Sequence, residues 1–144
     1  MYAQASPFAP RHHRPSNVYS RIGLETEVND ASPHRLISML FDGLFSNLAQ
    51  AEGAIAQGQR EFKALALMRA VRILDEGLKS VLNLQEGGPL AEQLHGLYAY
   101  AGLRLTHANL RDDVEAIREV RKLLEPVRDA WGQIAPTTEQ PAAA

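Results

Sequence analysis

The chain has 144 residues, enough for one domain, and 45% of them are hydrophobic, enough to form a core. A net charge of −2 gives no strong preference for nucleic acid or an anionic membrane, and the absence of cysteine excludes disulfides and thiolate metal sites. No stretch is apolar enough to span a bilayer, and residues 1–15 lack the apolar region of a secretory signal. The composition therefore predicts a cytoplasmic protein with no nucleic-acid partner and no membrane insertion.

The N-terminal region divides into two segments. Several prolines interrupt residues 1–18, and we expect this segment to be a disordered tail. In residues 19–31, Tyr19 and Ile22 are spaced to lie close together if the chain coils into a turn or two. Such a short apolar segment is expected to dock on a larger apolar surface. It could do so permanently or as a removable lid.

The first predicted helix covers residues 32–56. Ser32 can accept a hydrogen bond from a free N–H of the first turn, and Pro33 suits the first helical position. Apolar residues then recur at alternating steps of four and three, which places them on one face of a helix. This stripe consists of Ile37, Phe41, Leu44, Leu48, Ala51 and Ile55.

Two further helices are predicted over residues 61–85 and 89–109. Gly87 and Gly88 can supply the positive φ that ends the second helix, and Pro89 can begin the third. The stripe of the second helix is Leu67, Val71, Leu74, Leu78 and Val81. The stripe of the third is Leu90, Leu94, Leu97, Ala101, Leu105 and Ala108, with Tyr98 alongside.

A fourth helix is predicted over residues 112–135, followed by a flexible tail over 136–144. Asp112 with Glu115 three residues later fits a capping box, and Pro126 should bend this helix. Its stripe is Ile117, Val120, Leu124, Val127, Trp131 and Ile134. Four amphipathic helices joined by short turns predict an all-α, antiparallel four-helix bundle over residues 32–135.

The sequence gives little support for catalysis. Helical bundles that hold two iron ions need a Glu-x-x-His motif on each of two helices, and only Glu92 with His95 matches. Both side chains are expected to point away from the core. Nucleotide-binding, nucleophile and zinc motifs are also missing from the sequence. We therefore expect a protein that is not an enzyme and that binds no cofactor or metal.

The chain has more apolar side chains than the four stripes require. Grouped in a groove, such residues would form a protein-binding site. Grouped on one face, they would form a homodimer contact, typical of a self-associating structural or adaptor protein. The residues beyond the stripes are Leu36, Leu40, Phe45, Leu65, Met68, Ile73, Tyr100 and Leu103.

Several segments resemble the flagellar secretion chaperone family FliS. The most extended is Ala-Ser-Pro-His-Arg-Leu-Ile-Ser-Met-Leu-Phe-Asp-Gly at residues 31–43. The others match the family in order and spacing, and together with it they make the resemblance specific. They lie at residues 19–26, 70–79, 87–94, 97–100, 104–113 and 129–131.

The resemblance implies a non-catalytic helical bundle that binds the disordered C-terminal segment of flagellin in the cytoplasm. Such a chaperone prevents early polymerisation and delivers flagellin to the type III export gate, whose membrane component is FlhA. In the family, the segment matching Tyr19 packs over a hydrophobic groove that flagellin takes over. The partner-binding residues expected here are Tyr19, Ile22, Leu36, Leu40, Leu44, Ile73, Tyr98 and Leu103.

Overall fold

The structure is a computed structural model that describes residues 31–134. The predicted tail 1–18, most of the segment 19–31 and the tail 136–144 lie outside the described residues. The described part contains four helical elements and no strand, which confirms the predicted all-α fold. They are α1 (Pro33–Ala56), α2 (Arg60–Arg72, continued as a π-helix over Ile73–Leu78), α3 (Gly88–Arg111) and α4 (Val114–Gln133).

The helices form a four-sided bundle. α1 packs against α2 and α4, and α3 packs against the same two helices. Short connections between successive helices make neighbours antiparallel. The core is made of large aliphatic side chains and small alanines, which together fill the space between the four helices. Its fully buried large side chains include Leu40, Phe41, Leu44, Leu48, Leu67, Ile73, Leu74, Leu105, Ile117, Val120 and Leu124.

The start of α1 agrees with the sequence. Ser32 has an extended backbone, and its Oγ accepts a hydrogen bond from the backbone N–H of Arg35 at 3.1 Å. Pro33 is the first helical residue, where its missing N–H removes no helical hydrogen bond. This cap fixes the residue at which α1 begins.

The second helix ends earlier than predicted, at Leu78 rather than at residue 85. Residues 79–81 form a turn, in which the Ser80 hydroxyl shares its proton between the carbonyl oxygens of Glu76 and Gly77, at 2.6 and 3.2 Å. Gly87 and Gly88 therefore do not cap α2 as we predicted. Gly88 has φ +60° and begins α3 instead.

The π-helical segment brings α2 close to α1. A Cβ atom placed on Gly77 would lie 2.8 Å from Cδ2 of Leu40, whose side chain is fully buried. Contacts this short do not occur between real Cβ atoms and their neighbours. Gly77 is therefore the residue that permits the close approach of the two helices.

The turn between α3 and α4 differs from the prediction by one residue. Asp112 has φ +53° and ends α3, a conformation that aspartate tolerates better than most residues. Asp113 is the N-cap of α4, and its Oδ1 accepts hydrogen bonds from the backbone N–H groups of Glu115 and Ala116. α4 then continues through Pro126 to Gln133.

Candidate protein-binding surface

The residues predicted to bind a partner occupy very different environments. Leu40, Leu44 and Ile73 are fully buried in the core, and Tyr98 is nearly so. Whether they contact another protein stays a prediction. The remaining three groups are Leu36, which is half-buried against the core, Leu103, which is exposed, and the pair Tyr19 and Ile22, which lies outside the described residues.

Tyr98 is a core residue rather than a surface residue. Burial raises the pKa of its phenol to about 12, because the phenolate would lose hydration inside the bundle. Together with Ala91 and Leu105, it forms the inward side of α3. Leu90 was predicted to share this side, but it is 64% exposed. Ala91 takes the inward position in the first turn, whereas Ala101, Leu105 and Ala108 are buried as predicted.

The outward side of α3 carries the two most exposed large hydrophobic side chains among residues 31–134. Leu103 is 70% exposed and Leu110 is 76% exposed. They are seven residues apart and therefore lie on the same face, two turns from each other. Gly96 is another seven residues before Leu103, and a Cβ atom there would meet nothing within 4 Å. We call Gly96, Ala99, Leu103 and Leu110 the α3 stripe.

A polar network borders the α3 stripe on the side of α4. Glu119 accepts hydrogen bonds from the Tyr100 hydroxyl at 2.6 Å and from Arg104 Nε at 2.7 Å. These two bonds hold the pKa of the Glu119 carboxyl below its ordinary value, and the same carboxylate raises the pKa of Tyr100. The network links α3 to α4 beside the stripe.

A second surface feature is a cleft between α1 and α4 of about 400 Å³. Trp131 forms one wall, and its ring stacks on His34 at 4.8 Å between ring centroids. His34 Nε2–H donates to the carbonyl oxygen of Trp131 at 3.0 Å, and Trp131 Nε1–H donates to that of His34 at 3.1 Å. Arg128, also in the wall, lies 4.4 Å over the Phe45 ring. These contacts hold α4 against α1 at this end of the bundle. The cleft beside them is lined by both polar and apolar side chains.

The structure offers little for chemistry at these surfaces. Glu92 is exposed and His95 is half-buried, and within residues 31–134 no group of three His, Cys, Asp or Glu residues could hold a metal ion. Among the described helices, none is both long enough and apolar enough to cross a membrane. The distinctive feature is instead exposed apolar surface, which suits the binding of another protein.

Sequence reasoning missed four exposed large hydrophobic residues within 31–134, which are Phe62, Leu84, Leu110 and Leu123. Leu110 was placed in a turn, because α3 was expected to end at residue 109 rather than at Arg111. Its spacing of seven from Leu103 was the signal that could have identified it. Phe62 was missed because it stands in the first turn of α2, before the apolar stripe of that helix begins.

Comparison with known proteins gives one family. The profile described as "Flagellar protein FliS" matches residues 15–138. The chain is 46% identical to the flagellar secretion chaperone FliS of Salmonella typhimurium, over 83% of this chain and 88% of that protein. It is 38% identical to flagellar secretion chaperone FliSB of Pseudomonas aeruginosa, over 81% and 92%. Identity to FliS of Escherichia coli is 37%, over 81% and 85%.

Proposed function

Since the chain belongs to the FliS family of flagellar secretion chaperones, we propose that its client is the C-terminal segment of flagellin. As a chaperone rather than an enzyme, it holds this segment in the cytoplasm and prevents premature polymerisation. It then delivers flagellin to the flagellar type III export apparatus, with FlhA as the receiving component. The observation that carries the proposal is the α3 stripe, where Leu103 and Leu110 are exposed beside open glycine positions.

The chemistry of the client fits such a stripe. A segment that forms an amphipathic helix in the filament exposes its apolar face when it is alone. Leu103 and Leu110 can cover this face, and the glycine at position 96 allows a helix backbone to approach α3 closely. Ordering a disordered segment costs about 2–5 kcal/mol or more. Burying two leucines, at about 1.5–3 kcal/mol each, does little more than offset that cost, so we expect the client to extend beyond α3 and to contact Leu36 as well.

The N-terminal segment is part of this proposal. We infer that Tyr19 and Ile22 cover a client-binding surface until flagellin replaces them. Deletion of residues 1–24 should then leave the bundle folded and change flagellin affinity. Hydrogen exchange should show residues 19–24 losing protection when flagellin binds. Equal protection with and without flagellin would argue against displacement.

A direct experiment is isothermal titration of the full chain with flagellin and with flagellin that lacks its C-terminal segment. The proposal expects binding of full-length flagellin and loss of binding after truncation. Equal binding of both forms would place the chaperone contact elsewhere on flagellin. No binding of either form would contradict the proposed client.

Self-association is a second candidate function, and the geometry of α3 gives it one specific argument. Two antiparallel copies centred on Leu103 would place Leu110 of each copy over Gly96 of the other. The area that two leucines per copy can bury is far smaller than the roughly 800 Å² per partner that a stable interface buries. Such a dimer would therefore be weak and would be displaced by a client. A dimer whose mass is independent of concentration and unaffected by flagellin would favour this alternative.

A further inference from the structure

The cleft of about 400 Å³ between α1 and α4 has a negative edge. Its charged lining residues are two aspartates, Asp42 and Asp129, and one arginine, Arg128. Arg128 is already engaged, because its guanidinium lies 4.4 Å over the Phe45 ring and its Nε is 3.4 Å from Asp129 Oδ1. The Asp42 side chain is exposed and makes no ion pair with any residue of 31–134. The cleft therefore presents one carboxylate that no described cation neutralises.

The end of α4 adds to this negative potential. The last residues of α4, up to Gln133, line the cleft, and the last turn of the helix contains no basic residue. The carbonyl end of a helix carries a partial charge of about −0.5. A cationic side chain in the cleft would therefore interact favourably with both Asp42 and the end of α4.

The N-terminal part of the chain carries the opposite charge. Residues 1–24 hold three of the 15 Lys and Arg residues and none of the 17 Asp and Glu residues, so the rest of the chain has a net charge of −5. Two of the three, Arg11 and Arg14, precede residue 15, where the match to the family profile begins. Residues 1–14 are therefore a cationic extension outside the part of the chain that matches the family.

The extension is long enough to reach the cleft. The start of α1 and the end of α4 lie together, as the stacking of His34 on Trp131 shows. Asp42 is ten residues after Ser32, or about 15 Å along α1. The 18 residues from Arg14 to Ser32 can span at most about 60 Å. Tethering gives the extension an effective concentration on the order of millimolar at the cleft, so even a weak contact is populated.

Charge selects between the possible occupants of the cleft. Residues 135–144 follow α4 directly, but they carry Glu139 and no lysine or arginine. The same cleft of a second copy would bring its own aspartates against Asp42 and Asp129. We propose that residues 1–14 of the chain itself bind in the α1–α4 cleft, through Arg11 and Arg14. This proposal depends neither on flagellin as the client nor on the position of residues 19–24.

The test is a paramagnetic NMR experiment on the full ¹⁵N-labelled chain. The chain contains no cysteine, so Ala9→Cys can carry a single nitroxide spin label. We expect the label to remove at least half of the amide signal intensity of residues 38–42 and 128–133 and to leave residues 103–110 on α3 unchanged. Uniform broadening, or no broadening at the cleft, would overturn the proposal. Broadening that appears only between spin-labelled and ¹⁵N-labelled molecules in a mixture would assign the cleft to a second copy and overturn it as well.

Matched variants of the spin-labelled chain separate the local contact from net charge. Arg11→Glu combined with Arg14→Glu should abolish the broadening at the cleft. Arg111→Glu combined with Lys122→Glu changes the net charge equally at exposed positions that do not line the cleft, and it should leave the broadening unchanged. Adding Asp42→Arg to the first pair should restore the broadening. Equal effects of the two pairs, or no restoration by Asp42→Arg, would refute the contact.

The single tryptophan gives an independent readout without a label. Trp131 lines the cleft, so acrylamide should quench its fluorescence at least 1.5-fold more strongly in the Arg11→Glu, Arg14→Glu chain than in the parent. Raising the salt concentration should have the same effect on the parent, because salt screens exposed charges. Quenching that neither change alters would contradict a contact made by the two arginines. None of these outcomes bears on flagellin binding, which is tested through truncated flagellin and the α3 stripe.

Discussion

Replacing Gly77 with alanine should destabilise the bundle, because the new Cβ atom would lie 2.8 Å from Cδ2 of Leu40. The side chain of Leu40 is fully buried, so it cannot move away into solvent. Overpacking of this kind costs about 1–3 kcal/mol, while the better helix propensity of alanine returns up to about 1 kcal/mol. We expect a net loss of about 1–2 kcal/mol.

Gly102→Ala is the matched control, because a Cβ atom at that position of α3 meets nothing within 4 Å. There, alanine should stabilise the protein by about 0.5–1 kcal/mol. Urea unfolding followed by circular dichroism at 222 nm measures both free energies of unfolding. Stabilisation by Gly77→Ala equal to that by Gly102→Ala would refute the close contact between Gly77 and Leu40. Combining Gly77→Ala with Leu40→Ala should show coupling, since the smaller side chain relieves the clash.

Three further predictions concern buried and capping groups. The pKa of Tyr98 is raised to about 12, so its ionisation favours the unfolded state, and stability should fall as pH rises from about 10 to 12. Tyr98→Phe should weaken this fall in urea midpoints. Lys63→Met should lower the thermal midpoint, because the carbonyl of Asn109 loses its donor and Asp112 loses its ion pair. Asp113→Ala should cost about 0.5–2 kcal/mol in urea unfolding by removing the α4 cap, and no change would contradict that cap.

The sequence predicted the elements whose signals are local. The steps of three and four in α1 placed Phe41, Leu44 and Leu48 in the core, where the structure has them. The helix-start signal at Ser32 and Pro33 depends only on neighbouring residues and is also observed. Such features need no knowledge of the rest of the fold.

Features that depend on packing between helices were harder to predict. The second helix ends at Leu78 through a π-helical segment, although the apolar spacing continues to Val81. In the first turn of α3, the inward side was assigned to Leu90. Ala91, which is small enough for close packing, was overlooked in favour of Leu90. Periodicity identifies an apolar face, but it does not show which neighbouring helix covers each side chain.

The same limit explains the candidate binding residues. Leu40, Leu44, Ile73 and Tyr98 were predicted to contact a partner, and the structure has them buried in the hydrophobic core cluster, so their role in binding stays a prediction. Leu103 was correctly counted as surplus to the core, since it is exposed on the outward side of α3. Whether it contacts a client stays a prediction.

The most direct test of the account is the flagellin affinity of Leu103→Asp combined with Leu110→Asp. Burying one leucine contributes about 1.5–3 kcal/mol, and 1.4 kcal/mol is a factor of ten in affinity. The account predicts that the double variant binds the C-terminal segment of flagellin at least 100-fold more weakly. Leu90→Asp is the control, because Leu90 is also exposed on α3 but lies outside the stripe, and it should keep the parent affinity. A folded double variant that binds flagellin as tightly as the parent would contradict the proposed role of the α3 stripe.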